Sequence, residues 1–170
     1  MLSLEEYRLG VQTSPLQLES SQDNYNVALT MLTQCKRDIC IYSRRLDGRL
    51  YDCSEFGQAL QHLASQQPRV RIRILLTEIE PLIKYGHRII ELARRLSSAI
   101  AIRRVHEDYR SHNEAFMVFD EHGVIRRQLA DRYEGIASFN DANQARHLLN
   151  FFNEVWEVSE ADPNLRRLHI

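Results

Sequence analysis

The sequence predicts a mixed α/β domain, in which one sheet of mostly parallel strands is covered by helices on both faces. Short apolar, β-prone runs alternate with longer segments of helical periodicity through the first two thirds of the chain. Two apolar runs typical of a hairpin follow, and then an amphipathic helix. A length of 170 residues with 44% hydrophobic and 26% charged residues fits one domain. We therefore expect a single domain over residues 1–170, with its core at about 24–157 and terminal arms.

The first two thirds of the chain are expected to alternate helix and strand. Ser20 and Asp23 are capping residues at the start of the first helix, and Pro81 precedes the third. Arg71 and Arg73 alternate with apolar residues in the second strand, which predicts a strand with one polar and one buried face. The predicted elements are a helix over 20–37, a strand over 38–43, a helix from 54 to before 68, a strand over 70–76, a helix over 82–96 and a strand over 99–105.

The last third is expected to contain a hairpin, a further strand and a closing helix. A turn at Glu121-His122-Gly123 separates the apolar runs 115–119 and 124–129. A short strand over 136–139 then leads into a helix that begins at Asp141. In that helix, Phe152 and Trp156 lie four residues apart on one face and are expected to be core anchors.

Several classes of protein are excluded by composition. No apolar run approaches the roughly 18 residues of a spanning helix, and the opening residues show no signal peptide, so we expect no membrane insertion. Three cysteines without a C-x-x-C pair argue against a disulfide framework and favour a cytoplasmic location. The seven histidines show no metal-binding spacing such as H-E-x-x-H, so neither a metal nor a cofactor is predicted.

The charge is uneven, although the formal net charge is only -1. In residues 69–104, nine basic side chains stand against three glutamates, which leaves a local excess of six positive charges. Such a segment is either a patch that attracts phosphate or nucleic acid, or a solvated face paired with acidic regions. If it binds nucleic acid, affinity should fall steeply with salt and weaken on loss of Arg71, Arg73 or Arg132.

Two segments near the hairpin resemble the phospholipase D superfamily. The first is Ser111-His112-Asn113-Glu114-Ala115-Phe116-Met117-Val118-Phe119-Asp120, and the second is Gly135-Ile136-Ala137-Ser138-Phe139-Asn140. In that superfamily a strand carries the motif H-x-K-x-x-x-x-D, and a later strand carries a G-S-x-N-like segment. Here Asn113 occupies the histidine position, Ala115 the lysine position and Asp120 the aspartate position. The resemblance implies one phospholipase D-like repeat, with Asn113, Asp120, Ser138 and Asn140 brought together in one cleft.

The chemistry implied by this resemblance depends on two groups that the chain lacks. The family histidine forms a phosphohistidine, and the family lysine stabilises the phosphoryl oxygens. Asn113 cannot form that intermediate, and Ala115 removes the cation. The resemblance therefore implies a catalytically inactive domain, and the two motifs that meet in active members imply a homodimer.

His112 is the alternative nucleophile, since it lies one residue before the family position. A shift of one residue on a strand turns the side chain to the opposite face, and Glu114 would then place a negative charge where the family has a positive one. Only a β-bulge would redirect His112 into the cleft. This alternative predicts an unconventional phosphodiesterase or nuclease.

Three further polar residues, Arg44, Asp47 and Arg132, are candidates to bind a ligand in or near the former cleft. Arg44 and Asp47 follow the end of the first predicted strand, where α/β folds usually place ligands. Arg132 could offer a guanidinium fork to a phosphate, or pair within its own loop with Asp131 or Glu134. Asp120 is either a retained site residue or an ordinary hairpin-turn residue.

A narrower resemblance is to an uncharacterised bacterial domain that occurs alone or fused to GNAT-type acetyltransferases. The segments that carry it are Tyr42-Ser43-Arg44-Arg45-Leu46-Asp47, Leu50-Tyr51-Asp52, Arg103-Arg104-Val105-His106, Asp131-Arg132-Tyr133-Glu134-Gly135 and Phe152-Asn153-Glu154-Val155-Trp156-Glu157. The sequence thus predicts a noncatalytic domain that binds an anionic ligand, nucleic acid or a protein partner. The further alternative is an accessory module of an acetyltransferase.

Overall fold

A computed structural model describes residues 3–165 of the chain. Its centre is a seven-stranded sheet with the strand order β1-β7-β6-β5-β2-β3-β4. The strands are β1 (Leu16–Leu18), β2 (Asp38–Ser43), β3 (Arg71–Leu76), β4 (Ile100–Arg104), β5 (Ala115–Phe119), β6 (Gly123–Arg127) and β7 (Gly135–Ser138). The sheet is mixed, as the sequence predicts, but the expectation of mostly parallel strands is wrong, because the hairpin and its neighbours add antiparallel pairings. Two of its six pairings are parallel, β2 with β3 and β3 with β4, and the other four are antiparallel.

Five helices cover one face of the sheet. They are α1 (Ser21–Gln34), α2 (Gly48–Tyr51), α3 (Ser54–Gln66), α4 (Glu80–Tyr85) and α5 (Arg88–Arg95). Helix α1 begins at a capping box, in which Ser20 and Asp23 accept hydrogen bonds from each other's backbone N–H. Alternate residues of the strands, such as Ile39, Ile41 and Ile72, pack beneath these helices in the larger hydrophobic core.

Helix α6 (Ala142–Val158) covers the centre of the other face. Its buried residues Phe152 and Trp156 pack against the strand residues that alternate with those of the larger core and face the other side of the sheet, including Val118 and Leu75. Phe152 and Trp156 therefore lie in the core, as their spacing predicts, and helices cover both faces of the sheet.

The predicted helix over 82–96 is wrong in one respect, because it is two helices. The chain breaks at Gly86, which has a φ of 79° in the left-handed region that favours glycine. The side chain of His87 then caps α5 by accepting the N–H of Ile89 at 3.1 Å. Apolar periodicity continues through the break, which is why the pattern did not reveal it.

The amino-terminal segment is part of the sheet rather than a free arm. Strand β1 pairs antiparallel with β7, and Gly10 N–H donates to Phe139 O at 2.7 Å. At the other end, Glu160 bridges to Arg104 beside β4. The remainder of the predicted carboxyl-terminal arm, residues 166–170, lies outside the described residues.

Candidate functional site

The carboxyl end of β2 meets the amino end of β5, because these two strands are antiparallel. Arg44 follows β2 directly, and its guanidinium Nη2 donates to Asn113 Oδ1 just before β5. After Arg44 the chain passes over this end of the sheet as a strap, defined as residues 44–52, that contains α2. Tyr133 holds the strap by donating its hydroxyl to Asp47 Oδ2 at 2.7 Å. Three candidate residues, Arg44, Asp47 and Asn113, therefore lie in one region.

Beneath the strap, the position of the family lysine is closed. Ala115 is only 2% exposed and borders a void of about 10 Å3. The void is also bordered by Asn24, Leu50, Tyr51 and Arg127. A single water molecule needs roughly 10–15 Å3, so no ligand fits beside Ala115 while the strap is in this position.

Asp120 lies at the opposite end of β5, where it stabilises a loop. Its carboxylate accepts the backbone N–H groups of Lys36, Arg37 and Asp38 at 2.8, 2.8 and 3.0 Å, and the Cys35 thiol at 3.0 Å. Burial alone would raise the pKa of Asp120, but these hydrogen bonds outweigh it and hold the pKa below its ordinary value. The carboxylate is thus engaged in fixing the turn between α1 and β2.

Ser138 and Asn140 lie at the Asp120 end of the sheet and not beside Asn113. Ser138 is opposite Val124, and Val124 is opposite Val118 in β5, whereas Ala115 is opposite Arg127. Asp120 lies seven positions after Asn113 along an extended chain, at a distance on the order of 20 Å. The expected convergence of Asn113, Asp120, Ser138 and Asn140 is therefore wrong, because the length of β5 separates Asn113 from the other three.

His112 faces the α6 side of the sheet, as the alternation of side chains along a strand predicts. Its ring packs on Phe151 with centroids 4.4 Å apart, and its Nε2 lies 3.7 Å from Glu114 Oε2. Glu114 is also paired with Arg126, at 2.7 Å. Nearby, burial and then the charge of Glu114 raise the pKa of Tyr42 to about 12. His112 and Asn113 thus belong to different faces of the sheet.

The arginines of the basic segment 69–104 are largely engaged in packing and ion pairs. The Arg103 guanidinium lies 4.2 Å from the Trp156 ring centroid, and that of Arg73 lies 5.0 Å from the Phe152 ring centroid. Arg104 pairs with Glu80 and Asp162. Of the basic residues tied to nucleic acid by the sequence, Arg71 and Arg132 are exposed, and Arg73 is half-buried against α6.

Arg127 is the residue of this region that sequence reasoning missed. It is 4% exposed, and its Nη1 donates to the carbonyl oxygens of Ala130 and Arg132 at 3.3 and 2.8 Å. Because Ala115 and Arg127 are directly opposite in the β5–β6 pair, their side chains share a face. The inward position of Ile125, two residues earlier, is the sequence signal that predicts an inward Arg127.

Within residues 3–165, no group of three or more His, Cys, Asp or Glu side chains is arranged to hold a metal ion. No helix in this part of the chain has the length and apolarity needed to cross a membrane.

The fold is that of phospholipase D family members, as similar solved structures show. NucT from Helicobacter pylori superposes with a TM-score of 0.63 at 11% identity, covering 89% of this chain and 99% of that one. Nuc from Salmonella typhimurium, a phospholipase D family member, superposes with a TM-score of 0.54 at 13% identity, covering 88% of this chain and 99% of that one. TrmBL2, an archaeal chromatin protein, gives a TM-score of 0.63 at 19% identity over 94% of this chain. This chain spans 57% of the TrmBL2 chain.

Residues 20–168 match the family described as Domain of unknown function (DUF7931), and the chain belongs to that family. No curated protein matches the sequence. The similar solved structures confirm the predicted phospholipase D-like α/β fold.

Proposed function

We propose that this chain is a catalytically inactive phospholipase D-like domain that binds a phosphate-containing anion at the strap end of the sheet. The observation that carries the proposal is the pair Asn113 and Ala115. The first is an amide held by Arg44, and the second is a buried methyl group beside a void of about 10 Å3. Neither side chain can act as the nucleophile or the cation of the family reaction.

The anionic ligand is favoured by the charges that surround Asn113. Within residues 3–165, Arg44 and Arg127 have no carboxylate within 4.0 Å, whereas their sequence neighbours Arg45 and Arg126 are paired with Glu78 and Glu114. Arg44 and Arg127 lie at the carboxyl ends of β2 and β6, which run in the same direction, and side-chain cations without a protein counter-ion at such strand ends can bind an anion.

An unconventional phosphodiesterase that uses His112 is the second candidate. The observation that favours it is the 3.7 Å contact between His112 Nε2 and Glu114 Oε2, because a carboxylate beside an imidazole orients the ring. The contact lies on the α6 face, on the other side of the sheet from Asn113 and Arg44.

Turnover of bis(p-nitrophenyl) phosphate by the purified protein separates the two candidates. We expect no release of nitrophenolate above the buffer rate, either from the wild type or from His112→Ala. Activity in the wild type that is lost in His112→Ala would overturn the inactive assignment and establish the His112 site.

Four expectations from the sequence remain predictions. We propose a homodimer, and the supporting feature is a groove on the β6–β7 flank of the sheet, in which Leu129 and Ile136 are 42% and 49% exposed. Nucleic acid is one form of the proposed ligand, and TrmBL2, a neighbour in fold alone, is described as having a novel mode of DNA binding. An acetyltransferase partner and a cytoplasmic location also remain predictions. The molar mass in solution tests the dimer, since the monomer is 20.0 kDa.

A further inference from the structure

His87 is a buried histidine at the junction between the strap and helix α5. It is 7% exposed and directly follows Gly86, at which the chain breaks between α4 and α5. Its Nδ1 accepts the N–H of Ile89 at 3.1 Å and so caps α5. A ring nitrogen that accepts a hydrogen bond carries no proton, so His87 is a neutral imidazole with its proton on Nε2.

The second ring nitrogen of His87 has no hydrogen-bond partner. Nε2 is buried and bonds to none of residues 3–165. Buried polar atoms are nearly always hydrogen-bonded, because a buried donor without a partner costs free energy. The cap on α5 is therefore the one hydrogen bond that holds this ring in place within the described part of the chain.

The strap supplies another acceptor to the same turn of α5. Asp52, at the end of the strap, accepts the N–H of Arg88 at 3.2 Å, and its carboxylate lies 3.5 Å from Arg88 Nε. The backbone of Leu46 also lies near the ring, since it favours the charged form of His87, as the carboxylate of Asp52 does, and both effects act to raise the pKa. The imidazole of His87 thus lies between the strap and the first turn of α5.

A proton on Nδ1 of His87 is incompatible with this arrangement. It would set two donors, Nδ1–H and the N–H of Ile89, against each other, and it would place a positive charge at the positive end of the α5 dipole. Burial is the largest influence on the ring and holds the pKa of His87 below its ordinary value, although Asp52 and the Leu46 backbone oppose it. Among residues 3–165, the helices next to α5, which are α3 and α4, add no charged group to these influences.

We infer that His87 is an acid-sensitive latch, and that protonation of its ring breaks the α5 cap and releases the strap over residues 44–52. In the released state the ring regains water and its ordinary affinity for a proton, so acid favours release. The latch is strongest above about pH 6.5 and weakens as the pH falls towards the lowered pKa of the closed state. Within that window the released fraction rises about tenfold for each pH unit. The latch goes beyond the proposed function, since it does not depend on which ligand the domain binds.

Hydrogen exchange of the full chain at pH 7.5 and pH 5.5, corrected for the intrinsic effect of pH on exchange, measures release of the strap. The amides of Leu50, Tyr51 and Asp52 donate to the carbonyl oxygens of Asp47 and Gly48 within the strap. A single helical turn does not persist once its packing contacts are lost. We expect the corrected exchange of these three amides to be about threefold to tenfold faster at pH 5.5, with no such increase for the amides of β5.

Two histidine variants separate the latch from other effects of acid. His87→Asn keeps an acceptor at the cap but cannot titrate, so the pH dependence of strap exchange should disappear. His106→Asn is the matched control, because His106 also caps a turn, accepting the N–H of Asp108 at 3.1 Å with Nδ1, but its side chain is 38% exposed. This control should keep the pH dependence of the wild type.

Titration of the histidine Cε1 protons by NMR keeps the test valid if His87→Asn fails to fold. In the wild type, we expect His87 to titrate below its ordinary value. Asp52→Asn keeps an oxygen acceptor for Arg88 but removes the negative charge, so it should lower the pKa of His87 further and shift strap release to lower pH. A purely structural role of His87 would not produce this shift in strap release.

Three results would overturn the latch. The first is equal corrected exchange of the strap at the two pH values, and the second is a pH dependence that persists in His87→Asn. The third is an increase of the same size in β5, because that would show global unfolding in place of strap release. None of these results bears on turnover of bis(p-nitrophenyl) phosphate, which tests the proposed function separately.

Discussion

Replacing Asp120 with asparagine should destabilise the protein substantially, because one carboxylate satisfies four donors. Lys36, Arg37 and Asp38 donate backbone N–H groups to it at 2.8–3.0 Å, and the Cys35 thiol donates at 3.0 Å. Asparagine preserves the shape and tolerates the positive φ of 50° at this position. It therefore removes the charge without adding backbone strain.

The expected loss follows from the individual hydrogen bonds. Hydrogen bonds to a charged acceptor contribute about 1.5–3 kcal/mol, against about 0.5–1.5 kcal/mol for neutral ones. Three donors should each lose about 1 kcal/mol as the acceptor becomes neutral. The side-chain NH2 group of asparagine cannot accept the fourth hydrogen bond, so that bond is lost outright at about 1.5–3 kcal/mol, and the total loss is about 4.5–6 kcal/mol. For a domain of this size, that corresponds to a fall in Tm of roughly 9–24 °C.

Chemical denaturation of the wild type and Asp120→Asn at several pH values checks this expectation. The pKa of Asp120 is held below 3.8, so its contribution is complete above that pH and is lost as pH falls through the lowered folded-state pKa. The stability difference between the two proteins should therefore be largest near neutral pH and shrink in acid. Glu121→Gln is the control, because Glu121 also has a positive φ but its side chain is 62% exposed. A difference below about 1 kcal/mol at pH 7, or one that does not change down to pH 3, would refute this account of Asp120.

Two other predictions concern the closed cleft and the thiols. Ala115→Lys restores the family residue but places a cation in a void of about 10 Å3 beside Arg127. We therefore expect a loss of at least about 3 kcal/mol in unfolding free energy and no phosphodiester turnover. A variant as stable as the wild type would contradict the closed site. Burial raises the pKa of the Cys35 and Cys40 thiols, the latter to about 11. At pH 8 a thiol reagent should therefore label only the half-exposed Cys53 in the native protein, and all three cysteines in denaturant. Rapid labelling of two or more thiols in the native protein would contradict this expectation.

The resemblance to phospholipase D family members was correct about the fold and wrong about where the motif residues meet. The order of helices and strands is encoded locally, in caps such as Ser20 and in the alternation around Arg71 and Arg73. The assignment of Ser138 and Asn140 to the cleft depended on the resemblance of their segment to the family motif and on their order along the chain. Sheet register placed them at the Asp120 end instead, and the fold does not depend on their convergence.

The sequence by itself determined the nature of the strands and helices, the pairing of the hairpin and the identity of Asn113 and Ala115. These follow from residue periodicity, turn residues and motif position, which are local properties of the chain. Only the tertiary structure decided that Asp120 caps a distant turn, that Arg127 faces Ala115, and that the strap closes the site. Each of these depends on which strands become neighbours and in what register, and that is set by the packing of the whole sheet and not by any single segment.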